Sequence, residues 1–243
     1  MQTKSIEKYF DNISSEYTKN FIVKKSSKNY IFRTRKKTVL SFLYKKKGSI
    51  LDIATGSGEI SSEILKRNQF DKITLVDISK NMLNMTKEKV KKIKKVKKVE
   101  YINKNFAKIK NKNKYNYIVC LGILAHFINS KLFFLKLSKL SKKGTIVILQ
   151  SSLLNFPINK LNKFLFSNRY KKKFNYKINF ISEKKLNFFF KKHGFKILVI
   201  KKYSVGLPVI DKFFPKLNYY IDLSFDKLFP SSGSEAIFIL KKI

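Results

Sequence analysis

The sequence predicts an α/β fold built on a seven-stranded, mostly parallel sheet with helices on both faces. Between residues 49 and 150, short apolar runs alternate with longer amphipathic segments, as in parallel sheets whose strands are joined by helices. A glycine-rich turn follows the first apolar run and precedes the first amphipathic segment. Two more apolar runs, separated by a long segment, lie near the C-terminus and predict an antiparallel hairpin that completes the sheet.

The elements can be justified in chain order. The first strand is an apolar run that ends in small residues at Ala54, and the segment after it has one apolar face. The second strand ends at Asp77, and Ser79 is placed to cap the next helix. The lysine run 91–98 is interpreted as the solvated face of that helix. Strands are expected at 49–54, 72–77, 99–102, 115–121, 145–149, 195–203 and 235–242, and further helices at 57–67, 129–140 and 183–192.

The charge of the chain is its most unusual compositional feature. The 243 residues include 54 Lys and Arg against 15 Asp and Glu, a net charge of +39. A basic surface is typical of phosphate binding, but nearly all of these cations are lysines, whereas arginine is preferred for bidentate phosphate and base contacts. The abundance of Lys, Asn, Ile, Phe and Tyr, which share A/T-rich codons, favours composition as the main cause. Nucleic acid is therefore not the expected partner, although such a field attracts anionic surfaces.

Cysteine content and hydropathy restrict where the protein is expected in the cell and which kinds of metal or disulfide site it can have. The single Cys120 excludes an internal disulfide and a cysteine-rich zinc site. The N-terminal residues are polar, no signal peptide is visible, and no uncharged apolar stretch of about 18 residues is present. We therefore expect a cytoplasmic protein without a metal, with peripheral contact to an anionic membrane as an open alternative.

The motif most specific for chemistry is Asp-Ile-Ala-Thr-Gly-Ser-Gly at residues 52–58, which follows a strand and opens a helix. Glycines let the backbone turn sharply and approach a ligand, and free N–H groups at a helix start favour polar or anionic groups. Asp77 ends the next strand roughly 20 residues later, where a carboxylate can accept both ribose hydroxyls. Together these features predict a nucleoside-binding site. The third glycine of a dinucleotide fingerprint and the Gly-Lys-Ser/Thr of a phosphate loop are both missing.

These residues resemble the class I S-adenosylmethionine-dependent methyltransferases, in the branch that acts on small molecules, quinones or carriers. Asp52, Gly56 and Gly58 match the first motif of that family, and Asp-Ile-Ser-Lys-Asn-Met-Leu at 77–83 is similar to its "D-x-S-x-x-M-L". Segment 114–127 resembles the fourth strand and the "L-x-H" after it. The resemblance extends from residue 9 to the C-terminus and implies a Rossmann-like fold and S-adenosylmethionine as cofactor.

The resemblance also marks departures from the family pattern. Ala54 stands where the first glycine of the motif is usual, which leaves less room beside the methionine part of the cofactor. Asn105-Phe106 replaces the usual Asp-Ala that pairs with the adenine amino group, although Asn still offers a carbonyl acceptor. The residues that the resemblance implies as cofactor-binding are Tyr17, Asp52, Ala54, Thr55, Gly56, Gly58, Asp77, Ile78, Met82, Asn105, Phe106 and Leu121.

The resemblance further implies a single domain over residues 1–243 with three parts. Residues 1–47 are expected to form a helical lid, because residues 9–17 are similar to the "Y-F-D-x-x-A-x-x-Y" opening of the family; the alternative is a surface amphipathic helix. Residues 48–151 form the cofactor-binding half, and residues 152–243 the acceptor-side half with aromatic and basic insertions. The acceptor site is expected to include the lid and segments 122–127, 156–180 and 204–234.

The catalytic residues are less defined than the cofactor site. Methyl transfer from a sulfonium mainly requires alignment of the reacting atoms, and a base is needed only when the acceptor must lose a proton. His126 is a weak candidate for that base, with a structural role as the main alternative. The expected acceptor is a small molecule or a carrier- or lipid-linked intermediate. An RNA or DNA methyltransferase and a non-catalytic binding module of the same fold remain alternatives.

Overall fold

The computed structural model describes residues 2–94, 96, 98–110, 113–127, 129–174, 176 and 178–243. Its strands are β1 (Lys47–Ile53), β2 (Gln69–Asp77), β3 (Val99–Asn103), β4 (Tyr115–Cys120), β5 (Ser141–Ser152), β6 (Phe195–Tyr203) and β7 (Glu235–Lys242). Its α-helices are α1 (Gln2–Thr18), α2 (Ser27–Phe42), α3 (Glu59–Arg67), α4 (Lys80–Lys91), α5 (Ser130–Lys139), α6 (Pro157–Phe174), α7 (Glu183–Lys192), α8 (Pro208–Phe213) and α9 (Pro215–Leu228).

The strands form a sheet in the order β3-β2-β1-β4-β5-β7-β6. Strand β1 is near the centre and pairs in parallel with both β2 and β4, so that Ile53 is level with Val76 on one side and Cys120 on the other. Strand β7 runs antiparallel between β5 and β6. The predicted seven-stranded, mostly parallel sheet with a C-terminal antiparallel hairpin is therefore confirmed.

Helices cover both faces of the sheet and supply its core. On one face, Phe133 and Phe134 of α5 and Phe190 of α7 are buried against the strands. On the other, Val39 of α2 and Ile64 of α3 are buried. Each such side chain stabilises the fold by about 1.5–3 kcal/mol relative to exposure, so the core is shared between two layers of helices.

Serine caps begin two of the predicted helices. The Ser79 hydroxyl accepts a hydrogen bond from the backbone N–H of Met82, and the Ser182 hydroxyl accepts one from that of Lys185. Each satisfies a backbone donor that the first turn of a helix leaves without a partner.

The insertions are more helical than the sequence pattern indicated. Helix α6 occupies residues 157–174, and α8 and α9 occupy much of the excursion between β6 and β7. The interpretation of run 91–98 as a helix face was wrong beyond Lys91, where α4 ends. Lys95 and Lys97 of that run, and Asn175 and Lys177 of the expected acceptor segment 156–180, lie outside the described residues.

No helix within the described parts of the chain combines the length and the apolar character that crossing a membrane requires.

Candidate active site

A cavity of about 440 Å³ lies at the carboxyl ends of the central strands, the edge of a parallel sheet at which ligands bind. Ile53 at the end of β1 and Val76 near the end of β2 line it from the sheet side. Ile6 and Phe10 of α1 line it from the N-terminal segment. The cavity therefore lies between the sheet and the first helix.

The glycine-rich turn after β1 forms one wall of this cavity. Gly56 has a φ of +59°, and a Cβ added there would meet nothing within 4 Å. Gly58 has a φ of +76°, and a Cβ there would lie 2.8 Å from the Cα of Thr86 on α4. Gly58 thus permits close packing of α4, while Gly56 leaves open space beside its backbone for a ligand.

Ala54 adopts a conformation that suits glycine better than alanine. Its φ of +61° lies in the left-handed region, and the residue lines the cavity. A Cβ in that region costs roughly 1–2 kcal/mol. The departure from the family motif at this position therefore introduces local backbone strain into the cavity wall.

Asp77 connects the second strand to the glycine turn. One oxygen of its carboxylate accepts a hydrogen bond from the backbone N–H of Gly56 at 2.8 Å, and the other accepts from that of Ser79 at 2.9 Å. Burial raises the pKa of Asp77 to about 6 in spite of these hydrogen bonds. Each oxygen retains lone pairs for a further donor, so the side chain can accept hydroxyl groups from the cavity.

Asp52 lies behind the turn rather than at the cavity wall. Its carboxylate accepts a hydrogen bond from the Ser61 hydroxyl at 2.6 Å, and that hydroxyl lies 2.5 Å from the hydroxyl of Thr55. Burial raises the pKa of Asp52 to about 6, against the effect of hydrogen bonds from Ser61 and Thr55. Asp52 thus holds the start of α3 and the turn together.

The far wall at β3 is formed by the segment around Asn105. The side-chain oxygen of Asn105 accepts a hydrogen bond from the backbone N–H of Ala107 at 2.8 Å, and its amide donates to the Thr3 hydroxyl at 3.3 Å. This oxygen therefore caps a short helical turn while its other lone pair remains for a ligand. The side chain of Phe106 is buried and lines the same wall.

The carboxylate of Asp11 anchors helix α1 over the cavity. Asp11 accepts hydrogen bonds from the Ser79 hydroxyl at 2.6 Å and from the backbone N–H of Asn81 at 3.1 Å, at the start of α4. Tyr17, near the end of α1, lines the cavity, and burial raises the pKa of its hydroxyl. The rest of the expected lid, residues 1–47, differs from α1, because α2 packs into the hydrophobic core.

His126 follows β4 and lies among aromatic rings. Its Nδ1 is 2.8 Å from the Tyr176 hydroxyl. Its ring packs edge to face on that of Phe10, with 5.0 Å between the ring centroids. Burial and the nearby charge of Arg35 lower the pKa of His126 to about 4. The imidazole is therefore neutral at pH 7 and a weak proton acceptor.

A polar cluster that the sequence reasoning missed lies at the β5–β7 end of the cavity. The Nη2 of Arg35, a residue of α2, is 3.7 Å from an oxygen of Glu235, which is longer than a hydrogen bond. The Arg35 Nε and the Gln150 Oε1 are buried, and among the described residues neither has a hydrogen-bond partner. Glu235 instead accepts from the Ser152 hydroxyl at 2.7 Å and from the Gln150 amide.

The cluster lies beside Gly122, just after β4. A Cβ at Gly122 would lie 3.6 Å from the Nη1 of Arg35 and 3.9 Å from the Oε1 of Gln150. A buried guanidinium is costly unless acceptors surround it. The Glu235 carboxylate and the Tyr203 hydroxyl both favour the charged form of Arg35, and its unpartnered Nε is a donor available for an anionic group in the cavity.

The sequence-predicted residues divide into those that line the cavity and those that do not. Asp52, Thr55 and Gly58 are absent from its lining and support the turn from behind. Of the segments expected at the acceptor site, residues 156–165, 176, 178–180 and 204–234 also do not line it. Those that line it are Tyr17, Ala54, Gly56, Asp77, Ile78, Met82, Asn105, Phe106, Leu121 and His126.

Comparison with known proteins identifies the family. A family model described as "Methyltransferase domain" matches residues 28–200, more than half of the chain. The chain belongs to the methyltransferase domain family. A curated relative, the ubiquinone/menaquinone biosynthesis C-methyltransferase UbiE of Geotalea uraniireducens (strain Rf4), is 34% identical over 88 residues. That match spans 36% of this methyltransferase-domain protein and 37% of the relative.

Solved structures show the same fold at low identity. The magnesium protoporphyrin IX methyltransferase of Synechocystis PCC 6803, with bound SAH, has a TM-score of 0.67 at 14% identity, covering 100% of both chains. The N-methyltransferase NodS of Bradyrhizobium japonicum WM9, also with SAH, has a TM-score of 0.62 at 10% identity, covering 99% of this chain and 98% of its own. These similarities show the class I fold that the sequence predicted.

Proposed function

We propose that the protein transfers the methyl group of S-adenosylmethionine to a small-molecule acceptor. The observation that supports this most directly is the position of Asp77. Its buried carboxylate lies at the end of β2, beside the glycine turn and on the wall of the cavity. A carboxylate so placed is suited to accept both hydroxyls of a ribose. The family of the chain and the SAH bound in two structural neighbours agree with this cofactor.

The residues present fit the cofactor along the whole cavity. At β2, Asp77 would accept the ribose hydroxyls, with Ile78, Asn105 and Phe106 around the adenine. At β1, the open space beside Gly56 permits close approach of the ligand to the backbone. Strand β4 is two strands from β2, or about 10 Å, and Arg35 reaches the end of β4. We propose that Arg35 holds the amino-acid carboxylate there.

The protein's own residues would mainly orient the cofactor and the acceptor and exclude water from the site. When bound, S-adenosylmethionine supplies a methyl group already activated on a sulfonium. Tyr17 and Phe10 of the first helix, proposed as the lid, cover the site, which keeps water from the reacting atoms. Since the pKa of His126 is lowered to about 4, it is a poor general base, and we propose that it shapes the acceptor pocket with Tyr176. This arrangement suits an acceptor that reacts without a strong protein base.

The remaining lining suggests the chemistry of the acceptor. Phe10, Phe21 and Phe127 contribute aromatic surface, and Ile123 contributes aliphatic surface. An apolar ring system or chain fits such walls, and the match to a quinone C-methyltransferase agrees with that class. We also propose that the acceptor is carrier- or lipid-linked and that the protein contacts an anionic membrane peripherally. The support is the exposed aromatic side chains at α8 and α9 and the exposed lysines beside them.

A labelled-methyl assay tests the function. The protein is incubated with S-adenosylmethionine labelled in the methyl group and, separately, with quinols, acyl carriers, free carboxylic acids and bulk RNA. We expect label in one of the small-molecule or carrier classes. Transfer to RNA that is lost at high salt would instead support a nucleic-acid methyltransferase. Absence of transfer, together with absence of cofactor binding in calorimetry, would support a non-catalytic binding module.

A further inference from the structure

Helices α8 and α9 expose large apolar side chains that the catalytic proposal does not use. Phe213 and Phe214, at the junction of the two helices, are each 63% exposed. Leu217, Tyr220 and Leu228 of α9 are at least half exposed. Several large apolar side chains exposed within one short stretch, residues 213–228, are typical of an interaction site.

The exposed residues of α9 form an amphipathic stripe. Leu217, Tyr220 and Leu228 are three, eight and eleven residues apart, which places them within an arc of about 80° on one side of the helix. Lys216 and Lys227 are exposed beside this stripe, and the exposed Lys212 precedes it on α8. Apolar side chains bordered by lysines are typical of helices that lie in the plane of a membrane surface.

The carboxylates of the two helices face the opposite way. Asp211 accepts a hydrogen bond from the backbone N–H of Ser27 at 2.7 Å, and Asp222 accepts from the Ser27 hydroxyl at 2.6 Å. Asp226 accepts from the Tyr30 hydroxyl and from the backbone N–H of Ser204. These acidic groups hold α8 and α9 against the body of the protein, so the outward face presents cations and apolar groups.

Helix α6 adds to the same region. The amide of Asn162 donates a hydrogen bond to the carbonyl of Gly206, just before α8, at 3.0 Å. Leu161, Phe164 and Leu165 are exposed on α6, with Phe164 82% exposed. Helix α6 is thus joined to the segment before α8 and carries exposed apolar side chains of its own.

As a deepening of the peripheral membrane contact proposed above, on which it rests, we propose that this docking face, defined by Phe213, Phe214, Leu217, Tyr220 and Leu228, binds the surface of an anionic lipid bilayer. The apolar side chains would enter the headgroup boundary while the flanking lysines contact anionic headgroups. A second copy of the chain is disfavoured, because its face would have the same positive charge. RNA is disfavoured, because the cations of α8 and α9 are lysines without arginine.

Vesicle co-sedimentation of the full chain tests this proposal. Vesicles of phosphatidylcholine alone are compared with vesicles that contain about one-third phosphatidylglycerol. We expect partition onto the anionic vesicles to be about tenfold higher. The variant Phe213→Ser/Leu217→Ser should lose about tenfold of that partition, and Lys212→Gln/Lys216→Gln/Lys227→Gln about as much, since each lysine contributes several-fold to anionic membrane binding.

Matched controls remove equivalent groups elsewhere. Leu135→Ser/Phe188→Ser removes exposed apolar side chains from α5 and α7, and Lys142→Gln/Lys143→Gln/Lys196→Gln removes exposed lysines from β5 and β6. Both controls should retain vesicle binding. Equal loss in the controls would show that diffuse charge, and not the docking face, binds the vesicles.

Other outcomes would overturn the proposal directly. These are failure of the unmodified protein to bind either vesicle, docking-face variants that bind vesicles normally, and a concentration-dependent dimer that the docking-face variants abolish. Calorimetry with S-adenosylhomocysteine on the same variants should give unchanged affinity, because no residue of the docking face lines the cavity. Failure of membrane binding and failure of cofactor binding are thus separate results.

Discussion

The two ends of the cavity differ in how their polar groups are supported. At the β2 end, the carboxylate of Asp77 already accepts backbone hydrogen bonds from Gly56 and Ser79. At the β7 end, Arg35 is 3.7 Å from Glu235, and its Nε has no hydrogen-bond partner within the described residues. The first end is held in place by the protein itself, whereas the second keeps donors for a group that enters the cavity. The comparison separates a preformed nucleoside site from an anion site that needs its ligand.

The largest expected effect is at the preformed end. Asp77→Ala removes the proposed acceptor of both ribose hydroxyls, and hydrogen bonds to charged groups contribute about 1.5–3 kcal/mol. We expect the affinity for S-adenosylhomocysteine, measured by calorimetry, to fall about 100-fold. Asp71→Ala, at the exposed start of the same strand, is the matched control and should bind normally. Unchanged affinity in a folded Asp77→Ala protein would contradict the ribose assignment.

A smaller and more selective effect is expected at the second end. Arg35→Met should weaken the binding of S-adenosylhomocysteine by about 2 kcal/mol, or roughly 30-fold in affinity, because a buried charged pairing with the carboxylate is lost. Its affinity for 5′-methylthioadenosine, which lacks the amino-acid carboxylate, should change little. Arg33→Met, on the exposed side of α2, is the control. Equal losses for both ligands would show that Arg35 supports the fold of the site and does not hold the carboxylate.

The pH dependence of binding provides a third test of the comparison. The pKa of Asp77 is raised to about 6, and ribose hydroxyls that donate to it favour its ionised form. Affinity should therefore be constant above pH 7 and fall about tenfold between pH 7 and 5. The Asp77→Asn variant should have a flatter profile in calorimetry over the same range. An equally steep profile in that variant would assign the titration to another group, such as Asp52.

The smallest effect is expected in the turn between the two ends. Ala54→Gly relieves the left-handed strain of roughly 1–2 kcal/mol but makes the unfolded chain more flexible, which offsets part of the gain. We expect a net increase of about 0.5 kcal/mol in the free energy of unfolding, measured by urea titration. Gly56→Ala, with a φ of +59°, should destabilise by about 1 kcal/mol. A gain from Gly56→Ala would contradict this account of the turn.

The two ends of the cavity also differ in how far the sequence could predict them. The glycine turn, Asp77 and the residues after β2 and β3 are local motifs, in which each residue type follows from the strand or helix beside it. Arg35, Gln150 and Glu235 are far apart in the chain, and only the pairing of β5 with β7 and the packing of α2 bring them together. No spacing rule connects such residues in a single sequence.

The helical insertions were missed for a related reason. Pro208 and Pro215 each begin a helix, a position at which proline is well tolerated, yet prolines in an aromatic segment are more often associated with loops. The start of α8 could have been recognised from Pro208 and Asp211 in its first turn. The inward orientation of Asp222 and Asp226, which creates the docking face, depends on contacts with α2 and the β6 end. Those contacts are long-range and leave no local pattern.

Calorimetry with two ligands is the most direct test of the central claim that one cofactor spans both ends of the cavity. The account predicts that the unmodified protein binds S-adenosylhomocysteine more tightly than 5′-methylthioadenosine. It also predicts that Asp77→Ala lowers the affinity for both ligands, while Arg35→Met removes only the difference in affinity between them. A folded protein that binds neither ligand, or binds both equally before and after Arg35→Met, would contradict it.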